Sequence, residues 1–224
     1  MRLLFAWLLL LAPARQAGVT VSGKVTVEEK AKKQLVILRY NGEDKRHLKP
    51  PPPSPAVVYL EGPPASAAEG KAVEILQQAL QFRPRVVAVQ LGTVVNFPNS
   101  DPVFHNVFSL SPGNKFDHGK YRTGESKGEA VKAVGRIDAR CKVHEHMVAY
   151  IHVVGSPHFA VAREDGAFSI PNVPPGKYTL VAWKEEYGIE QTYRKPIEVT
   201  QDGLNVDLKL AVADGSRSGG GAGR

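Results

Sequence analysis

Cys141-Lys142-Val143-His144-Glu145-His146-Met147 brings together the chain's one cysteine, its one methionine other than Met1 and two of its seven histidines. Thiolate, imidazole and thioether are the donor types that select copper, and two imidazoles with a thiolate and a weak axial thioether make an electron-transfer geometry. Cys141, His144 and Met147 are spaced three residues apart, which suits a tight loop turning three side chains toward one point. Consecutive loop residues cannot surround an ion alone, so a further ligand is expected from elsewhere in the chain. His105 is the best placed: it follows the turn-forming run Pro98-Asn99-Ser100-Asp101-Pro102 and opens an apolar alternating segment. His146 is the alternative to His144; the spacing favours His144 and puts His146 at the rim. Zinc is the competing ion, but structural zinc sites use several thiolates or imidazoles without a thioether. A nucleophilic role for Cys141 would need a paired base and a cleft. No CxxC or protease signature is present, so the chain reads as a non-enzyme. The remaining histidines, His47, His118, His152 and His158, lie in loops or apolar strands and read as structural or solvent-facing.

The elements that would hold these ligands are short strands, and the fold class is all-β. Val19 to Val27, Leu35 to Tyr40, Ala56 to Leu60, Val73 to Leu80, Val86 to Leu91 and Val94 to Phe97 read as strands. Val103 to Leu110 carries His105, Ser111 to Gly128 reads as a loop, Val131 to Ala139 leads into Cys141, and Val148 to Val154 is an apolar strand. Glu164-Asp165-Gly166 reads as a tight turn between Phe159–Ala162 and Phe168–Ile170. Tyr178 to Trp183 alternates, with Tyr178, Leu180 and Ala182 on one face. Ile197–Thr200 and Val206–Leu210 read as a final hairpin about Gln201-Asp202-Gly203. Turns at this spacing suggest β-sandwiches. Pro50 to Pro53 is a stiff spacer, Pro63 to Gly70 a linker, and the Gly-rich stretch from Ser216 a disordered tail.

Arg2, the apolar run Leu3–Ala12 and the small-x-small site Ala12-Pro13-Ala14 have the layout of an export signal, removed after Ala14 or Ala17. The run is too short to span a bilayer, so stable membrane insertion is not expected. An exported chain with one cysteine cannot form an internal disulfide, and metal ligation would protect its thiol. The net charge of +7 is spread along the chain without interleaved aromatics, which excludes a nucleic-acid platform and suits an acidic protein partner or a solvated face.

From Leu80 to Val154 the chain resembles the cupredoxins, particularly plastocyanin- and amicyanin-like proteins. The resembling residues are Val89 to Asp101, Phe104-His105-Asn106-Val107-Phe108-Ser109, Phe116 to Tyr121 and Cys141 to Met147. The resemblance implies a Greek-key sandwich holding one copper ion, with His105, Cys141, His144 and Met147 as ligands. It implies that Asn106 braces the ligand loop. Family members commonly carry proline after the ligand histidine, where this chain has Glu145, a carboxylate able to lower the copper potential. The flanks resemble a transthyretin-like, carboxypeptidase-regulatory-like sandwich. Its marks are Val21-Ser22-Gly23-Lys24-Val25, Ala56 to Gly62, Arg163 to Phe168, Val173 to Leu180 and Trp183. Because these marks lie on both sides of the first stretch, the cupredoxin is expected to be inserted into the second sandwich. The implied organisation is a signal at 1–17, outer strands and linker at 18–70, a cupredoxin at 71–155, the rest of the outer sandwich at 156–212 and a tail at 213–224. The implied role is one-electron transfer with a redox protein partner, the alternative being copper carriage or buffering without a shuttle role. Oligomeric state is not legible.

Overall fold

The computed structural model describes residues 18–28, 54–62, 72–186 and 189–210. The expected leader, the Leu35–Tyr40 strand, the Pro50–Pro53 spacer, the 63–70 linker and the 213–224 tail lie outside the described residues. The described residues form strands and turns without a helix, so the protein is all-β. The strands are β1 (Val19–Val27), β2 (Val57–Glu61), β3 (Val73–Glu74), β4 (Leu76–Gln78), β5 (Gln81–Arg83) and β6 (Val86–Gln90). They continue with β7 (Val94–Pro98), β8 (His105–Ser109), β9 (Phe116–Tyr121), β10 (Ser126–Ala130), β11 (Gly135–Arg140) and β12 (Val148–Val154). The last are β13 (Phe159–Val161), β14 (Ala167–Val173), β15 (Gly176–Glu186), β16 (Ile189–Val199), β17 (Leu204–Asn205) and β18 (Leu208–Leu210).

Strands β3 to β12 form a five-stranded sheet, β6-β12-β11-β8-β9, a three-stranded sheet, β10-β7-β3, and the β4–β5 hairpin. Their inward side chains, among them Val89, Phe97, Val107, Ile137, Ala149 and Ile151, build one core that includes Cys141 and Met147. The remaining strands form two other sheets. In one, β1 runs antiparallel to β14 and parallel to β17 and β18; the other has the order β13-β2-β15-β16. Their core contains Val21, Val58, Leu60, Ile170, Leu180 and Leu208. Strands before residue 63 therefore pair with strands after residue 158, while those from 73 to 154 pair among themselves.

Three strands are buried on both faces, which explains their apolar runs. In β12, Ala149, Ile151 and Val153 point into one core, whereas Tyr150 and Val148 point toward the other sandwich. In β2, Val58 and Leu60 fill the core shared with β1 and β15 while Val57 and Tyr59 face β12. In β15, Leu180 and Ala182 point inward and Trp183 joins Val57, Val86 and Tyr150 at the junction. Period-two side-chain alternation makes this two-faced use possible.

Three expectations are corrected. Val73–Leu80 is not one strand: it breaks after Glu74, and Ala79–Leu80 forms the β4–β5 turn. Ser111–Gly128 is not one loop but contains β9 and β10, polar strands held by backbone pairing with β8 and β7. The final hairpin is absent, since β16 pairs with β15 and β18 with β1, and the chain changes sheet at Gln201–Gly203. The Glu164-Asp165-Gly166 turn forms between two strands as expected, and it joins two sheets, with β13 paired to β2 and β14 to β1.

Candidate metal centre

Strand β8 begins at His105, and β11 ends one residue before Cys141. β11 lies between β8 and β12, so the 141–147 loop closes over the end of the sheet from which His105 emerges. The loop is tight: the Met147 N–H donates to the His144 carbonyl at 2.9 Å. This turn brings His144 back toward Cys141 while Met147 enters the core.

The donor atoms of His105, Cys141 and His144 all lie within 4.8 Å of one another. Cys141 Sγ is 3.7 Å from His105 Nδ1 and 3.9 Å from His144 Nδ1, and the two Nδ1 atoms are 3.2 Å apart. The point equidistant from three atoms so spaced lies about 2.1 Å from each, close to metal–imidazole and metal–thiolate bond lengths. The trigonal set therefore fits a first-row metal ion without rearrangement. His105 is fully buried, Cys141 and Met147 are nearly so, and His144 is half-buried. Met147 packs in the same core cluster as Cys141. Burial, with His105 and His146 nearby, holds His144 below the ordinary histidine pKa, favouring the neutral imidazole that binds metal.

The rim residues have separate positions. The Lys142 N–H, next to Cys141, donates to Asn106 Oδ1 at 3.4 Å, and Asn106 Nδ2 donates to Asp117 Oδ1 at 2.7 Å. Hydrogen bonds from Lys142, Gly119 and Asn106 hold the Asp117 carboxyl down at about 2. His146 turns away from the triad and meets the Leu80 carbonyl at 3.1 Å through Nε2. Glu145 is exposed. His118 packs against Phe116 and Phe97, His152 lies against Trp183 at the junction, and His158 meets the Tyr178 ring. His47 lies outside the described residues.

A family model, polysaccharide lyase family 4 domain II, matches residues 158–206. No curated protein matches the chain. Among solved structures, amicyanin from Paracoccus versutus is similar at 18% identity over 37% of this chain and 81% of its own, with a TM-score of 0.34. A purple cupredoxin from Nitrosopumilus maritimus is similar at 22% identity over 37% of this chain and 99% of its own, with a TM-score of 0.33. A copper-containing nitrite reductase from Thermus scotoductus SA-01 shares 23% identity over 42% of this chain and 25% of its own, with a TM-score of 0.36.

One residue of the site was missed by sequence reasoning. Asp101 is buried, and its Oδ2 lies 2.9 Å from His105 Nε2, on the far side of that ring from the triad. In the sequence Asp101 stands in a Pro/Asn/Asp run and reads as a turn former. The usable signal was a carboxylate four residues before a candidate ligand histidine.

Proposed function

We propose that this chain is an exported copper protein of cupredoxin type that passes single electrons between redox partners. His105, Cys141, His144 and Met147 would hold the ion. The observation that carries this reading is the triangle of Cys141 Sγ and two Nδ1 atoms, with sides of 3.2, 3.7 and 3.9 Å and two of its three residues buried. The thioether of Met147, buried beside Cys141 in the core, favours copper over zinc. When bound, copper supplies a one-electron couple. The residues of the chain supply rigidity: the core fixes Cys141 and Met147, and the Lys142 N–H to Asn106 contact ties the ligand loop to β8. No group is required to move a proton.

His144, half-buried, is the edge of the site that reaches solvent. Exposed Val143 adjoins it in sequence, and exposed Val103 and Phe104 precede His105. An apolar rim of this kind supports docking of a redox protein, and the positive net charge favours an acidic one. The separate pairing of strands 73–154 and of those flanking them supports insertion of a cupredoxin into an outer sandwich. The flanking sequence motifs support a transthyretin-like identity for that outer unit.

Loading the mature chain with Cu(II) and recording its visible spectrum tests the reading. An intense thiolate-to-copper band that disappears in Cys141→Ala is the expected result. A band that persists in that variant overturns the ligand assignment, and a colourless protein that takes up only Cu(I) replaces electron transfer with copper carriage.

A further inference from the structure

The carboxylate of Asp101 is the meeting point of three donors. Its Oδ1 accepts the Ala79 N–H at 2.6 Å, and its Oδ2 accepts the Leu80 N–H at 3.0 Å and faces His105 Nε2 at 2.9 Å. A carboxylate has only acceptor sites to offer, so each converging group must bring a hydrogen. His105 must therefore carry its proton on Nε2. In the neutral ring this leaves the lone pair on Nδ1, the atom facing Cys141 and His144.

Asp101 is itself held in place. Its N–H donates to Asn99 Oδ1 at 2.9 Å, and its carbonyl accepts Thr123 Oγ1 at 2.5 Å. Asn99 donates to the Val103 carbonyl at 2.9 Å, bracing the loop that delivers His105.

The other end of the network is unusual backbone. Ala79 and Leu80 have φ of 54° and 55°, the left-handed region that residues with a Cβ avoid. Such a conformation persists where the surroundings over-determine it. Here the two consecutive amides of this turn point at one carboxylate. The Leu80 carbonyl in turn meets His146 Nε2, within the loop that carries His144. The turn thus touches both halves of the site: its N–H groups through Asp101 to His105, and its carbonyl through His146 to the ligand loop.

We propose that Asp101 and the Ala79–Leu80 turn form an outer clamp for the metal centre, with Asp101 a positioning residue that fixes the tautomer and orientation of His105. This rests on the copper reading for its purpose but not for its geometry. The clamp presents His105 Nδ1 to the ion before the ion arrives, and it places a fixed negative charge behind one ligand ring. It also explains why an Ala-Leu pair is kept in a conformation better suited to Asn-Gly.

Nitrogen-resolved NMR of the full metal-free chain tests the clamp directly. The expected result is His105 as the Nε2–H tautomer, with slow hydrogen exchange at Ala79 and Leu80. In Asp101→Asn, whose amide group brings a hydrogen toward three donors, exchange at both amides should rise and the single tautomer should be lost. Copper affinity should fall roughly 10–100-fold, the usual effect of losing a partner behind a metal-binding histidine. Asp101→Glu, which keeps an acceptor-only group, should restore part of the tautomer signal. His105 found as Nδ1–H in the wild-type chain overturns the proposal even if the variants do not fold. Asp101→Asn with unchanged tautomer, exchange and affinity also overturns it. Should the wild-type chain never show a thiolate-to-copper band, the copper reading fails, and the metal-free measurements still decide the clamp.

Discussion

Trp183 of β15 meets Tyr150 of β12 edge to face, with ring centroids 5.8 Å apart. Tyr150 follows Met147 by three residues, so the aromatic contact lies on the strand that leaves the 141–147 loop. Around it, Arg85 stacks on Tyr150 and pairs with the buried Glu185 at 3.0 Å, and Ser54 donates to the same carboxylate at 2.8 Å. The Trp183 indole N–H donates to Glu190 at 2.8 Å, and Arg136 also pairs with Glu190. The two sandwiches share an apolar contact flanked by these ion pairs and hydrogen bonds.

Removing Trp183 tests how far this contact supports the metal strand. The side chain is 3% exposed, and truncating a buried Trp to Ala costs about 3–5 kcal/mol. Trp183→Ala should lower the denaturation midpoint accordingly. Followed at the copper band and by far-ultraviolet circular dichroism, the single transition of the wild type should separate into two, because the sandwiches lose their main apolar coupling.

His152 makes the junction sensitive to acid. It lies against Trp183 and Tyr59, its Nδ1 is buried without a hydrogen-bond partner among the described residues, and burial together with Arg136 pushes its pKa down to about 4. Above about pH 6.5 the residue is neutral folded and unfolded, and full stability is present. Between about 6.5 and 4 the unfolded chain binds the proton first, so stability falls as pH falls; below about 4 the loss levels off. A shift of this size corresponds to a loss on the order of 3 kcal/mol. Urea denaturation of the metal-free chain at pH 7.5, 5.5 and 4 should show this decline, and His152→Phe should flatten it.

The junction also shows what the sequence could convey. Val148–Val154 is legible as a buried strand because every position is apolar or aromatic, but nothing in it says that Tyr150 and His152 meet a different body from Ala149 and Ile151. Strands β9 and β10 were hidden for the opposite reason: Phe116–Tyr121 and Ser126–Ala130 expose most side chains, and backbone pairing with β8 and β7 creates them. The turns at Gly166 and Gly203 were readable as turns, yet their composition does not reveal that they change sheets. The metal triad was legible because its residue types are scarce. Asp101 and Leu80 were not, since one looked like a turn former and the other contributes only backbone to the network.

The choice between His144 and His146 can be settled by substitution. His144 Nδ1 faces the thiolate at 3.9 Å, whereas His146 Nε2 is engaged by the Leu80 carbonyl. His144→Ala should lower copper affinity by more than the roughly 10–100-fold that follows loss of an outer partner, and should alter the charge-transfer band. His146→Ala should keep the band and stay within that smaller range. Competition with a chelator of known copper affinity measures both, and the reverse ranking would move the ligand to His146.

Two glycines with nearly the same positive φ should respond differently to a methyl group, and the difference isolates the packing of the Gly166 turn against β1. Gly166 has a φ of 85° and Gly92 a φ of 88°. Alanine at either position bears the left-handed strain of about 1–2 kcal/mol. A Cβ on Gly92 would meet nothing within 4 Å, so strain is the whole effect there. A Cβ on Gly166 would lie 2.2 Å from the Val25 carbonyl oxygen, and that oxygen belongs to β1, whose N–H at Val25 already donates to the Gly166 carbonyl at 2.8 Å. Neither backbone can retreat without opening the β1–β14 edge. Gly92→Ala should therefore lose about 1–2 kcal/mol. Gly166→Ala should lose clearly more, with faster hydrogen exchange along Val21–Val25 and an unchanged copper band. Equal losses at the two positions would show that the Gly166 turn is free to move away from β1.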